Sequence, residues 1–173
     1  MHDMLPLLNA LDFPAIRRGP LQALQVNLTY QCNQRCLHCH VNAGPTRTEA
    51  MTDESLALLL QVIDAHAVQT LDLTGGAPEM HPRFREIVRH ARAAGLRVID
   101  RCNLTILSEP GFEDLADFLA GQQVEISASL PCYSRDNVDK QRGDGVFEAS
   151  IRGLQALNQL GYGVEGSGLL LNL

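Results

Sequence analysis

The chain has 173 residues, enough for one domain with a substantial core and few for two. Apolar residues make up 45% and charged residues 20%, and no run reaches the ~20 apolar residues of a membrane span, so no span is expected. The formal net charge of −6 argues against nucleic acid as the main partner.

Residues 1–20 read as an irregular N-terminal extension. Asp3, Asn9, Asp12 and three prolines break its apolar character, and it lacks the basic start and cleavage site of a signal peptide. A reducing cytoplasm is therefore expected, with the cysteines reactive or metal-bound rather than bridged. LQALQVNLTYQC (21–32) alternates as a strand and ends on a thiol. HVNAGPTRTEAM is a loop broken by Gly44 and Pro45. Thr52 is suited to cap a helix whose apolar face is Leu56, Leu59, Leu60 and Ile63.

Beyond that helix the spacing predicts strands over 68–76, 96–105 and 124–131, with a fifth in the last residues, 162–173. Helices are predicted over 83–95, 112–121 and 145–161. Such alternation predicts right-handed βαβ units and a parallel α/β sheet; an open flavodoxin-like sheet and a partial barrel both satisfy it. The unusual stretches CNQRCLHC, TGGAPE, RCNLT and SLPC all fall at C-terminal strand ends, the edge at which parallel folds bind ligands.

Cys32, Cys36 and Cys39 lie within eight positions, with His38 and His40 interleaved. The spacing admits incidental thiols, a zinc knuckle completed by His40 or a distant group, a c-type haem attachment at CLHCH, or an iron–sulfur cluster with one iron free of protein thiolate.

C-x3-C-x2-C after a first strand resembles the signature of radical S-adenosylmethionine enzymes. TGGAPE resembles that superfamily's glycine motif, RCNLT and ISASLP its third- and fourth-strand segments, and QRGDGVF the segment that follows. The stretch LQVNLTYQCNQRCLHCHVNAGPTRTEAM further resembles the arsenosugar-biosynthesis branch. The resemblance implies a radical SAM core domain over 21–173: a partial (β/α)6 barrel with outer helices, truncated after about five strands, its C-terminal part absent. It implies a [4Fe–4S] cluster on Cys32, Cys36 and Cys39, with S-adenosylmethionine chelated to the open iron and cleaved reductively to a 5′-deoxyadenosyl radical.

Carried onto this sequence, it places His38 beside the adenine and the Gly75, Gly76, Ala77, Pro78, Glu79 segment along the methionine moiety. Asn103, Thr105, Ser129 and Arg142 are candidates for the ribose or carboxylate. Two departures stand out: Ala77 occupies the motif's glutamate position, with Glu79 two residues on, and Pro131 occupies a frequent acidic position. The branch implies adenosylation of a methylated trivalent arsenical, with Cys102 and Cys132 as candidate substrate thiols at the barrel mouth. The electron donor would be a flavodoxin or ferredoxin. The alternatives are a radical enzyme acting on a peptide or other small molecule, and a non-catalytic zinc or iron–sulfur module.

Overall fold

The Thr52 hydroxyl accepts the backbone N–H of Ser55 at 3.2 Å, so helix α2 (Asp53–Ala65) starts where capping chemistry places it. A computed structural model describes residues 3–9, 11, 12, 14, 17–65 and 68–173; the rest of the N-terminal extension lies outside the described residues. Within that extension a short helix, α1 (Leu5–Asn9), replaces the irregular start expected there.

Five strands follow in chain order: β1 (Ala23–Asn27), β2 (Thr70–Thr74), β3 (Arg97–Asp100), β4 (Glu125–Ser127) and β5 (Leu171–Asn172). All pairings are parallel, and the spatial order is β1-β2-β3-β4-β5. A flavodoxin-like sheet would interleave as 2-1-3-4-5, so the consecutive order selects the barrel wall. Helices α2, α3 (Phe84–Ala93), α4 (Leu115–Gly121), α5 (Arg135–Arg142) and α6 (Val146–Gln159) lie in the connections.

The strands are shorter than the sequence predicts. Short 3-10 turns at Pro78–Met80 and Thr105–Ser108 take over past the ends of β2 and β3. Helix α5 is a further departure: it carries Arg135, Asp136, Asp139, Lys140 and Arg142 and shows no apolar period, with Val138 as its buried hydrophobe.

Strand register divides the sheet into two unlike faces, because paired residues project to the same side. One face holds Gln25, Asp72, Ile99 and Glu125 in one row. It carries polar bonds: Gln25 donates to Asp72 at 3.0 Å, Arg101 donates to both Asp72 oxygens at 2.8 and 2.7 Å, and Arg97 Nε donates to Glu125 at 2.6 Å. The opposite face carries Leu71, Leu73, Val98 and Ile126, all fully buried, with Phe84, Ile87, Val88, Ala91, Leu115, Leu119 and Leu157 of the helices in the same core. The first face is the lumen of the barrel wall and the second is its helix-packed exterior. This parity decides which residues reach the site.

Candidate metal centre

The segment after β1 folds back on itself. Cys32 N–H donates to the Gly44 carbonyl at 3.2 Å and Gly44 N–H to the Tyr30 carbonyl at 3.1 Å, closing a loop over 32–44. Inside it, Gln34 N–H points at Cys32 Sγ (3.4 Å), Ala43 N–H at Cys39 Sγ (3.3 Å), and the Cys36 thiol donates to Gln34 Oε1 (3.4 Å). From β3, the Asn103 amide reaches Cys32 Sγ at 3.6 Å. All five cysteines are free thiols. Burial raises the Cys32 and Cys36 thiols above their ordinary value; for Cys32 the Gln34 N–H and the Asn103 amide oppose this, and for Cys36 the Arg142 charge does.

Cys32, Cys36 and Cys39 line one cavity of about 280 Å³ at the C-terminal end of the sheet. His38, Gly75, Gly76, Asn103, Ser129 and Arg142 line it too, so the structure brings together these nine residues singled out from sequence. Arg142, largely buried, donates to the Ser129 carbonyl at 2.9 Å, while its Nε has no partner. The cavity also holds Gln34, Thr74 and Arg101, which sequence reasoning gave no role, and His40, weighed there as a zinc ligand or as the histidine of a haem-attachment motif. Strand parity was the available signal: Arg101 and Asn103 continue the lumen side of β3, and Thr74 and Gly76 that of β2.

Other residues do not arrive there. Ala77, Pro78 and Glu79 are buried and do not line the cavity, so Glu79 does not stand in for the glutamate that Ala77 replaces. Thr105 is buried and spends its hydroxyl internally: it accepts from Asn33 and Gln34, both at 2.8 Å, and donates to Asn103 at 3.1 Å. It holds the cysteine loop in place and offers nothing to a ribose. The expected pair of mouth thiols also separates. Cys102 is fully buried on the helix-facing side, two residues past Asp100 and of the same parity. Cys132 lies outside the cavity lining, where the Asn137 amide donates to its sulfur at 3.4 Å; the Ser134 hydroxyl lowers its thiol to about 7.

The two glycines have a reason within the chain itself. A Cβ on Gly75 would overlap the Thr29 carbonyl oxygen, and one on Gly76 the Gln31 carbonyl oxygen. Gly76 N–H donates to Thr29 O at 2.7 Å and Ala77 N–H to Gln31 O at 2.8 Å, a short ladder between the glycine segment and the cysteine loop. Close approach of two backbones within the chain already demands glycine here, whatever binds in the cavity.

The donor set fits an iron–sulfur cluster. Three soft thiols share a cavity, N–H groups aim at two of the sulfurs, and among the described residues no carboxylate lines the space.

Comparison with known proteins agrees. The Radical SAM superfamily profile matches residues 26–172. A probable GTP 3′,8-cyclase from Saccharolobus solfataricus is 28% identical over 145 residues, covering 82% of this chain and 45% of the relative. Its counterpart from Metallosphaera sedula is 27% identical over 149 residues, covering 83% and 44%. The chain thus spans less than half the length of these curated relatives. Among solved structures, hexahistidine-tagged anSMEcpe with bound AdoMet superposes with a TM-score of 0.66 at 18% identity, over 82% of this chain and 41% of that one. Streptococcus suis SuiB bound to S-adenosylmethionine gives 0.65 at 15%, over 82% and 32%. The chain belongs to the radical SAM superfamily, whose members use a [4Fe–4S] cluster and S-adenosylmethionine.

Proposed function

We propose that this radical SAM domain adenosylates a methylated trivalent arsenical in arsenosugar biosynthesis, with Cys32, Cys36 and Cys39 holding the cluster. The observation that carries the cluster assignment is the convergence of these three thiols on one cavity without a neighbouring carboxylate among the described residues. When bound, the reduced cluster and S-adenosylmethionine supply a 5′-deoxyadenosyl radical. The residues of this chain position and shield. Gly75 and Gly76 present backbone at the cavity wall, His38 offers an imidazole, and Asn103, Ser129 and Arg142 offer polar contacts to the cofactor. Arg142, whose Nε has no partner, offers a cation suited to a carboxylate, whereas Arg101 is already paired with Asp72.

Support for the arsenical rests on the extended CNQRCLHCHVNAGP stretch. Of the two candidate thiols, Cys132 is the one a dissolved arsenical reaches, since Cys102 is fully buried. The setting is a reducing cytoplasm, with a flavodoxin or ferredoxin as electron donor.

A second reading is conversion of GTP, favoured by the curated relatives named above. Anaerobic reconstitution with iron, sulfide, S-adenosylmethionine and dithionite separates these readings. Formation of 5′-deoxyadenosine establishes the radical step. A carbon–arsenic product from dimethylarsinous acid supports the first substrate, and consumption of GTP in its place supports the second. Stoichiometric zinc without 5′-deoxyadenosine would leave a binding module.

A further inference from the structure

On the helix-packed face, one row of the sheet runs Val26, Leu73, Asp100, Ile126 and Leu171. Asp100 is its one ionisable member and is fully buried. Glu79, also buried, belongs to the 3-10 turn Pro78–Met80, and Cys102 shares the parity of Asp100. A carboxylate oxygen from each acid and the Cys102 sulfur all lie within 4.8 Å of one another. None of the four oxygens has a full hydrogen-bond partner, the nearest donors toward Glu79 being its own N–H and the Cys102 thiol.

The charged and titratable groups facing this cluster offer no relief. Glu79 feels Asp100 and Cys102; Asp100 feels Glu79 and, across the sheet, Asp72; among the described residues no cation acts on either. Cys32 senses Glu79, and Tyr162 senses Asp100 and Cys102, each as a repulsive neighbour. The Tyr162 hydroxyl is committed elsewhere, donating to the Val124 carbonyl at 2.8 Å.

Two carboxylates this close in a dry interior cannot both ionise. One proton changes the arrangement: a carboxylic acid becomes a donor to its neighbour, and the Cys102 S–H adds a second donor toward Glu79. We propose that Glu79 and Asp100 share one proton and that the resulting pair is a positioning device, clamping the glycine segment of the cofactor cavity to the end of β3.

The connections on either side give the pair its leverage. Glu79 lies three residues after Gly76, which lines the cavity and is bonded to Thr29, just ahead of the cysteine loop. Asp100 lies three residues before Asn103, whose amide reaches Cys32 Sγ. The pair therefore ties together, from behind, both backbone segments that form the cavity wall. Burial is the main cause that raises both acids, Glu79 to about 7 and Asp100 well above the carboxylate range, the latter also through repulsion by Glu79. Losing the shared proton puts two adjacent negative charges into the seam and forces the segments apart.

The test has two independent arms on the cluster-loaded protein. Infrared spectroscopy in D2O at about pH 8, where exposed acids are ionised, should show a protonated-carboxyl stretch that changes frequency in Glu79→Gln and in Asp100→Asn, each of which leaves one buried acid, and that is lost in the double variant. S-adenosylmethionine affinity, measured by equilibrium titration, should weaken by about tenfold more in the parent than in Glu79→Gln between about pH 7 and 9, one tenfold step per unit of coupled titration. Absence of the stretch in the parent overturns the proposal even if the variants fail to fold. Equal weakening of parent and Glu79→Gln overturns the positioning role. One equivalent of zinc in the Cys32→Ser/Cys36→Ser/Cys39→Ser protein, lost on adding Asp100→Asn, would replace the proton by a cation and equally refute it.

Discussion

The Asn103 amide nitrogen lies 3.6 Å from Cys32 Sγ and 2.7 Å from Asn33 Oδ1, joining the end of β3 to the cysteine loop. An amide aimed at a ligand sulfur stabilises extra electron density on the cluster, which raises its reduction potential. Asn103→Leu keeps the volume and removes the donor. Its cluster should be reduced at a potential lower by roughly 40–60 mV, the equivalent of one ~1 kcal/mol hydrogen bond for a one-electron couple. Redox titration followed by electron paramagnetic resonance measures this, and an unchanged potential would assign Asn103 to packing alone.

Gly76 separates two accounts of the glycine motif. If its only task were to make room for the cofactor, Gly76→Val would weaken S-adenosylmethionine binding and spare the cluster. The overlap of any Cβ with the Gln31 carbonyl predicts otherwise, because Gln31 adjoins Cys32. Iron and sulfide content of reconstituted Gly76→Val should fall to less than about half of the parent's, as expected when the loop holding all three proposed ligands is displaced. Full cluster loading in a folded variant would return the glycine to the cofactor.

How much of this was legible in the sequence depends on distance along the chain. The cysteine loop announces itself because its three thiols sit within eight positions, and β1 to β4 because each carries local alternation. Strand ends were overrun: the predicted strands ran to 76, 105 and 131, whereas β2, β3 and β4 stop at Thr74, Asp100 and Ser127, where pairing with the neighbouring strand ends and local alternation gives no sign of it. Helix α5 was missed because a polar segment has no period to read. Arg101 was passed over because its partner, Asp72, is on another strand. The placement of Cys102 is the instructive failure. A strand end near a site does not put every side chain into it, and Cys102 differs from Arg101 and Asn103 by one step of parity.

Gly153 shows a demand that helix propensity alone hides. It sits inside α6, where alanine would ordinarily favour the helix by up to ~1 kcal/mol. Here a Cβ would stand 2.7 Å from the Leu104 carbonyl oxygen. Leu104 is buried and holds a left-handed φ of 66°, so it cannot yield cheaply, and its neighbours Asn103 and Thr105 brace the cysteine loop. Gly153→Ala should therefore destabilise by roughly 1–3 kcal/mol, the usual range for overpacking. Chemical denaturation reads the sign directly; a stabilised variant would show that α6 shifts freely.

The two thiols outside the cysteine loop should differ sharply in reactivity. Cys132 is lowered to about 7, by the Ser134 hydroxyl first and the Ser134 backbone N–H next. Cys102 is fully buried and raised well above the ordinary range, by burial first and then by Glu79 and Asp100. In the cluster-loaded protein at about pH 7, iodoacetamide should modify Cys132 at least ~10-fold faster than Cys102, since the thiolate is the nucleophile. Peptide mapping by mass spectrometry after timed quenching checks this. Comparable rates would mean that the β3 end opens readily to solvent.

The pH dependence of stability follows from the same buried acids. Glu79 titrates at about 7 in the folded protein, against ~4.3 for an unfolded glutamate. Between those values the native state holds a proton that the unfolded chain has released, so stability falls as pH rises. The contribution is complete below ~4.3 and lost as pH passes through about 7. Asp100, raised well above the carboxylate range by burial and by Glu79, shares that proton, so the pair contributes one such decline. Glu49, lowered to about 2 mainly by its bond from Arg47, acts in the opposite sense but has finished its change well below neutrality. Cys132 does interfere: its lowered thiol adds stability as pH rises from about 7 toward the ~8.5 of an ordinary cysteine. The measurement therefore belongs in a Cys132→Ser background. There the thermal midpoint of the cluster-loaded protein, taken anaerobically, should drop between about pH 6 and 8, and Glu79→Gln should flatten the slope. A midpoint that rises over this range in both proteins would show that neither acid holds its proton in the folded state.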